Sequence, residues 1–231
     1  MEVAINSFPI LLKGAIVTLQ LTLIGEALGM IIGLFVGLGR LSDKRIVKFL
    51  STCYVDFIRG TPLLVQLFII YFGIPDLLRG IQDWLILNYN FPELFTNIGV
   101  VEASIAAISI NAGAYIAEIF RAGVQSIDKG QMEAARSLGM TNVQAMTNVI
   151  LPQAFRRVIP PLGNEFIAML KDTALLSVIG MVELFRRAQF IISDTYVCFA
   201  VLIEVAMFYF AMTWTISRFV DYLERRLKVV D

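Results

Sequence analysis

Between Lys13 and Arg40 the chain runs for 26 residues with one charged side chain, Glu26. A bilayer core of about 30 Å is crossed by ~20 apolar residues in helical form, so this window (14 to 39) by itself points away from soluble folds. Four more windows follow at about 50 to 74, 98 to 120, 158 to 181 and 196 to 217, the fourth being the least apolar. The whole chain is 58% hydrophobic and 16% charged, where soluble domains are roughly half apolar and a quarter charged. The expected fold is all-α, a single polytopic membrane domain over 1–231 with five transmembrane helices.

Lysine and arginine set the orientation. Segments 40 to 48, 121 to 157 and 218 to 231 carry thirteen of them, against four in 1 to 13, 75 to 97 and 182 to 195. The positive-inside rule then puts the N-terminus outside and the C-terminus in the cytoplasm. The first apolar segment has no cationic n-region or small-residue cleavage site, so it is expected to remain as a span. With no histidine, imidazole triads, imidazole zinc sites and imidazole proton relays are excluded. Cys53 and Cys198 sit in apolar runs without metal-ligand spacing and are expected to be buried small hydrophobes. No Walker-type phosphate loop occurs, so any ATP used is bound by a partner. Net charge is zero and no basic run suggests nucleic acid.

The cytoplasmic loop of about 121 to 157 is polar and well punctuated. Asp128 with Gln131, and Thr141 with Gln144, have the spacing of capping boxes. Gly139 between them is suited to a left-handed helix stop. Two short helices are expected, about 130 to 138 and 142 to 150, the second ended by Pro152. Met132, Ala135 and Leu138 form the small apolar side of the first, with Glu133 and Arg136 as polar neighbours, a shape suited to docking in a groove.

The run Glu133-Ala134-Ala135, then Gly139, then Val149-Ile150-Leu151-Pro152 resembles the EAA loop of binding-protein-dependent ABC importer permeases, with Val149 where that pattern usually has isoleucine. The flanks YVDFIRGTPLLVQ (54 to 66), NAGAYIAEIFRAG (111 to 123) and LGNEF (162 to 166) resemble the polar amino acid permeases that import histidine, glutamine, glutamate and arginine. The likeness runs from about residue 10 to 227, and the long 75 to 97 loop departs from it. The resemblance implies a permease subunit of a bacterial inner-membrane importer with no cofactor of its own. Its implied partners are a dimer of ATPases holding ATP and Mg, a second permease subunit, identical or sister, and an extracytoplasmic substrate-binding protein delivering an amino acid. By the same resemblance Glu133, Ala134, Ala135 and Gly139 form a coupling helix seated on the ATPase.

Inside the membrane, Gly25, Gly29, Gly33 and Gly37 recur every fourth residue, a face for close helix packing. Thr18, Thr22 and Glu26 share another stripe. An ionised carboxylate there costs several kcal/mol without a partner or cavity; Glu26 is left open as a protonated packing residue, a partner for Arg59 or Lys171, or a wall of the translocation path. Asp56 and Arg59, three apart, are expected to pair, beside a Gly60-Thr61-Pro62 bend. The fourth window brings Asn164, Glu165, Lys171 and Asp172. An amino acid presents an ammonium and a carboxylate, which suits a path holding both charges. Asn164 and Glu165 are the leading substrate-facing candidates, with Glu26, Asp56, Arg59 and Lys171 behind them. The rival classes are an ion-coupled secondary transporter, which leaves the EAA loop unexplained and shows no inverted repeat, and an intramembrane enzyme, for which no acidic or serine-lysine pair stands at suitable spacing.

Overall fold

The structure, a computed structural model, describes residues 2–94 and 97–227; residues 95 and 96 of the 75 to 97 loop, and the chain end beyond 227, lie outside it. Every regular element among the described residues is helical. In order these are α1 (Glu2–Arg40), α2 (Arg45–Arg59), α3 (Leu63–Phe68), α4 (Ile74–Tyr89), α5 (Val100–Gln125), α6 (Lys129–Ser137), α7 (Asn142–Ala145), α8 (Leu151–Asp172), α9 (Leu184–Thr195) and α10 (Cys198–Leu227). A π turn over Ile69–Gly73 joins α3 to α4, another over Met146–Ile150 joins α7 to α8, and a 3₁₀ stretch over Thr173–Ile179 continues α8.

Four helices among the described residues are long and apolar enough to cross a membrane: Ser7–Arg40, Leu63–Tyr89, Val100–Gln125 and Cys198–Arg226. The second is displaced from its expected window of 50 to 74, because α2 stops at Arg59 and the helix restarts only at Leu63. It then runs on to Tyr89, so most of the expected 75 to 97 loop is helix. The fourth window lies on α8 and its 3₁₀ extension, whose charged residues and helix change at Thr173 keep it out of this set.

The break between α2 and α3 frees backbone carbonyls in a setting where water is scarce. One side chain answers most of the demand: Gln66 Nε2 donates to the Ile58 carbonyl at 2.7 Å and to the Thr61 carbonyl at 3.0 Å. Asn111 on α5 donates to Gln66 Oε1 at 3.0 Å, which fixes the amide. Gln66 and Asn111 are both buried, so the bend is built into the bundle rather than left loose.

α1 and α5 run side by side along the glycine face. A Cβ placed on Gly29 would lie 2.7 Å from Ala112 Cβ, and one on Gly33 would lie 2.6 Å from Ile116 Cγ2 and 3.0 Å from the Gly113 carbonyl. Small residues therefore set how closely these backbones approach. Leu21, Ile108, Ala112, Ile116, Leu67 and Met169 belong to the main core, and a second cluster holds Leu11 and Ala15 against α9 and α10 through Leu184, Ala188 and Val201.

Cys53 and Cys198 are exposed, not buried; Cys198 opens α10, a membrane-length helix whose outward face is as apolar as the core, so its apolar run does not report burial, and Cys53 lies on the largely exposed α2. Gly33→Leu should overpack the α1–α5 seam and cost roughly 1–3 kcal/mol, whereas Gly80→Ala, with nothing within 4 Å of the added methyl, should be neutral or slightly stabilising. Thermal unfolding in detergent checks both, and equal midpoints for the two variants would contradict this packing.

Candidate functional site

The hairpin of α6 and α7 stands at the end of the bundle where α5 finishes. Asp128 caps α6 by accepting from the Gly130 amide at 2.6 Å; the reciprocal bond from Gln131 expected of a capping box does not form, because Gln131 Oε1 instead accepts from Gln153 Nε2 at 3.3 Å. At α7 the box is complete: Gln144 N donates to Thr141 Oγ1 at 3.2 Å, and Thr141 N donates to Gln144 Oε1 at 2.9 Å. Between them Gly139 takes a φ of +87°, a left-handed stop that favours glycine.

Pro152 does not end the second helix. Its ring would press on the carbonyl four residues back, but that residue, Asn148, lies in the π turn, whose extra residue opens the ladder there. α7, the π turn and α8 consequently follow one helical path from Asn142 to Asp172, about 45 Å at 1.5 Å per residue, in which Pro160 and Pro161 each remove one ladder hydrogen bond. The hairpin is clamped to its base. Ile127, Ile150 and Ala154 form a small buried cluster with Met132, Met146 and Val149 packed on it, and Arg157 Nη1 donates to the Ser126 carbonyl at 2.5 Å.

Glu133, Ala134 and Gly139 are exposed on this hairpin, while Ala135 is buried against the chain itself. The apolar side expected for α6 is thereby divided. Met132 and Ala135 turn inward, and Leu138, 82% exposed, presents outward beside Val143 at 72%.

A second constellation gathers where α1, α2 and α5 meet. Glu118 receives Arg40 Nη1 at 2.5 Å and two bonds from Arg121, from Nε at 2.9 Å and from Nη2, with Arg59 Nη1 at 3.9 Å. The expected Asp56–Arg59 pair does not form: Asp56 lies 3.9 Å from Arg40 Nη2, and Arg59 turns to Glu118 and over the Tyr115 ring at 5.3 Å. Arg59 ends α2, so its long stem swings toward α5 rather than back along its own helix. Three guanidinium groups face two carboxylates here, leaving one cation in excess.

That excess points toward α8. Glu165, half-buried, lies within electrostatic reach of Arg59, Asp172 and Glu26. Asn164, Lys171 and Asp172 are exposed in the single chain. Glu26 is buried with Oε1 lacking a hydrogen-bond partner, and it pairs with neither Arg59 nor Lys171 among the described residues. It borders a cavity of about 520 Å³ between α1, α8 and α10 that is otherwise apolar. A guanidinium and several carboxylates thus converge beside α8, an arrangement complementary to a zwitterion. Sequence reading missed Glu118 and Arg40 as the hub; the signal was Glu118 and Arg121 at i, i+3 with a basic residue closing each neighbouring helix.

The family model described as binding-protein-dependent transport system inner membrane component matches residues 29–229. The chain belongs to this family. It is a membrane transport component and not an enzyme, and its ATPase is a separate partner. It is 38% identical over 227 residues to the probable glutamine ABC transporter permease protein GlnM of Bacillus subtilis, covering 98% of this chain and 97% of that one. It is 38% identical over 224 residues to the glutamine transport system permease protein GlnP of Escherichia coli K12, covering 97% and 95%, and 40% identical over 221 residues to the L-cystine transport system permease protein TcyB of B. subtilis, covering 95% and 87%. Among solved structures, an amino acid ABC transporter with histidines superposes with a TM-score of 0.84 at 43% identity, covering 96% of both chains. An inward-facing MetNI methionine ABC transporter shares the fold, with a TM-score of 0.76 at 20% identity, covering 97% of this chain and 99% of that one. Neither the family nor these relatives favour the secondary-transporter or enzyme readings.

Glu118→Gln should leave three clustered guanidinium groups without the carboxylate charge they share and, the network being partly exposed, destabilise the fold by about 1–2 kcal/mol. Asp221→Asn, in the exposed Arg218–Asp221 pair at 3.3 Å, should change stability by less than about 0.5 kcal/mol. Unfolding midpoints of the two variants, measured side by side, check the difference.

Proposed function

We infer that this chain is the translocation subunit of an ATP-driven importer for a polar or charged amino acid, with the α6–α7 hairpin as its coupling element. The observation that carries this is the continuous helical path from Asn142 to Asp172. A push on the exposed face of the hairpin at Glu133, Ala134, Leu138 and Gly139 is delivered by a stiff, capped element to the helix bearing Asn164, Glu165 and Lys171. Ala135 contributes from the inner side, where it seats α6 on that helical path.

In this reading an ATPase dimer, holding ATP and Mg, grips the hairpins of two permease subunits, and an extracytoplasmic binding protein delivers substrate to the opposite face. α8 with its 3₁₀ extension is the fifth crossing, which places the N-terminus outside and the C-terminus in the cytoplasm, in accord with the lysine and arginine bias. Glu165 and Asp172 attract the substrate ammonium, Arg59 the carboxylate, and Asn164 supplies neutral hydrogen bonds. The names of the glutamine and cystine permeases support an amino acid as cargo. Asp56, tied to Arg40, and Glu26, beside the apolar cavity, stand back from the substrate.

Gly139→Pro and Glu133→Lys, each in the reconstituted complex, should lower ATP-dependent uptake by about tenfold or more, equivalent to ~1.4 kcal/mol in the barrier, with the permease still inserted. Uptake at the native rate in both would remove the hairpin from the mechanism. Glu165→Gln should change the ranking of amino acids in competition for uptake while the ATPase remains bound; an unchanged ranking would take Glu165 out of the path.

A further inference from the structure

The helix from Leu63 to Tyr89 carries an exposed apolar stripe that the functional reading leaves unused. Val65, Ile69, Leu77, Ile81 and Trp84 are all exposed. At about 100° per residue, Leu77 in an unbroken α-helix would stand ~120° away from Val65. The π turn over Ile69–Gly73 inserts one extra residue between them. Counting that residue out, the five side chains fall within about 60° of one another, and Asp76, Arg79 and Asp83 fall on a different side, roughly 80–140° from Val65 in the other sense. The π turn therefore keeps one apolar face continuous from α3 into α4 and gathers the charges elsewhere.

α4 lies beyond the packed part of the bundle. Tyr71, just before it, packs on the same core cluster as Ile98 and Val100, where α5 begins, so α4 starts at the end opposite the hairpin and proceeds away from it. Pro75 and Gln82 are its only buried residues. Gln82 Oε1 accepts from the Leu94 amide at 2.8 Å, which folds the following strand of chain back over it. At its far end Trp84 and Tyr89 meet edge to face at 5.6 Å.

We propose that α4 is an interfacial helix whose Leu77–Ile81–Trp84 face lies in the leaflet opposite the coupling hairpin, with lipid as its occupant. Three observations fit a lipid surface. The stripe is continuous with the exposed apolar face of α3, within a helix apolar enough to cross the membrane. Its far end carries tryptophan and tyrosine, the residues that settle at headgroup level. Its charges are segregated to another face, as in helices lying in the interface plane. The crossing is then made by the end of α2 with α3 and the π turn, the helix turns toward the membrane plane at α4, and Asp76, Arg79 and Asp83 face water.

The test is tryptophan fluorescence of the intact transporter complex in liposomes of phosphatidylethanolamine and phosphatidylglycerol, brominated either near the headgroup or near the chain end. The Trp84 signal is the difference between the native chain and W84F, which leaves Trp214 and all partner tryptophans unchanged; the difference between W214F and the W84F/W214F double variant gives the same signal in a second background. The expected result is a blue-shifted Trp84 emission, lost with bromine near the headgroup, less affected by bromine at the chain end, and insensitive to iodide. Emission lost to iodide and untouched by either bromolipid would overturn the proposal and leave α4 standing in water. Emission insensitive to all three would overturn it in favour of a protein covering α4.

Discussion

The hydrocarbon core offers no water to a broken helix, so every backbone carbonyl released there has to find a partner inside the protein. Gln66 meets that demand at the Gly60–Pro62 break, and Asn111 ties Gln66 to α5. Without this amide pair the chain would have either to straighten the helix or to expose polar backbone to lipid. Because the break is held, α2 can end where Arg59 reaches Glu118, and α3 can restart against the core through Leu63 and Leu67. The position of the excess cation, and with it the electrostatics facing α8, depends on that one satisfied bend.

Two packing regimes surround it. Along α1 and α5 the small side chains bring backbones together and leave little freedom. At the ends of α1, α2 and α5 the contacts are ionic, centred on Glu118. The first regime resists relative motion, whereas guanidinium groups can exchange acceptors with modest geometric change. α8 is different again: it is continuous with the hairpin and only partly buried along its length. A helical path that runs unbroken in sequence from the hairpin to Glu165, lying against a fixed seam, is a physical basis for passing a displacement from one to the other.

Much of this was legible in the sequence because it is local. The glycine period, the Thr141–Gln144 box and the Gly139 stop each depend on residues within a few positions, and each appears where its spacing put it. What failed depended on competition from elsewhere in the chain. Asp56 and Arg59 have the spacing of a helix pair, but Arg40 and Glu118 arrive from other helices and take both. Pro152 is a helix breaker in isolation, yet it follows a π turn whose extra residue relieves the clash with the carbonyl four residues back, so the helix continues through it. Cys198 misled because apolarity marks burial in water and loses that meaning on a membrane-length helix.

If the hairpin is the coupling element, this chain conducts substrate only with an ATPase bound to it. The most direct measurement is purification of the tagged chain from its native membrane, followed by amino acid uptake into liposomes with and without ATP inside the compartment that the ATPase faces. The expected result is that an ATPase copurifies in fixed ratio and that uptake stops when ATP is withheld. Recovery of the chain alone, with uptake that continues without ATP and follows an ion gradient, would contradict it.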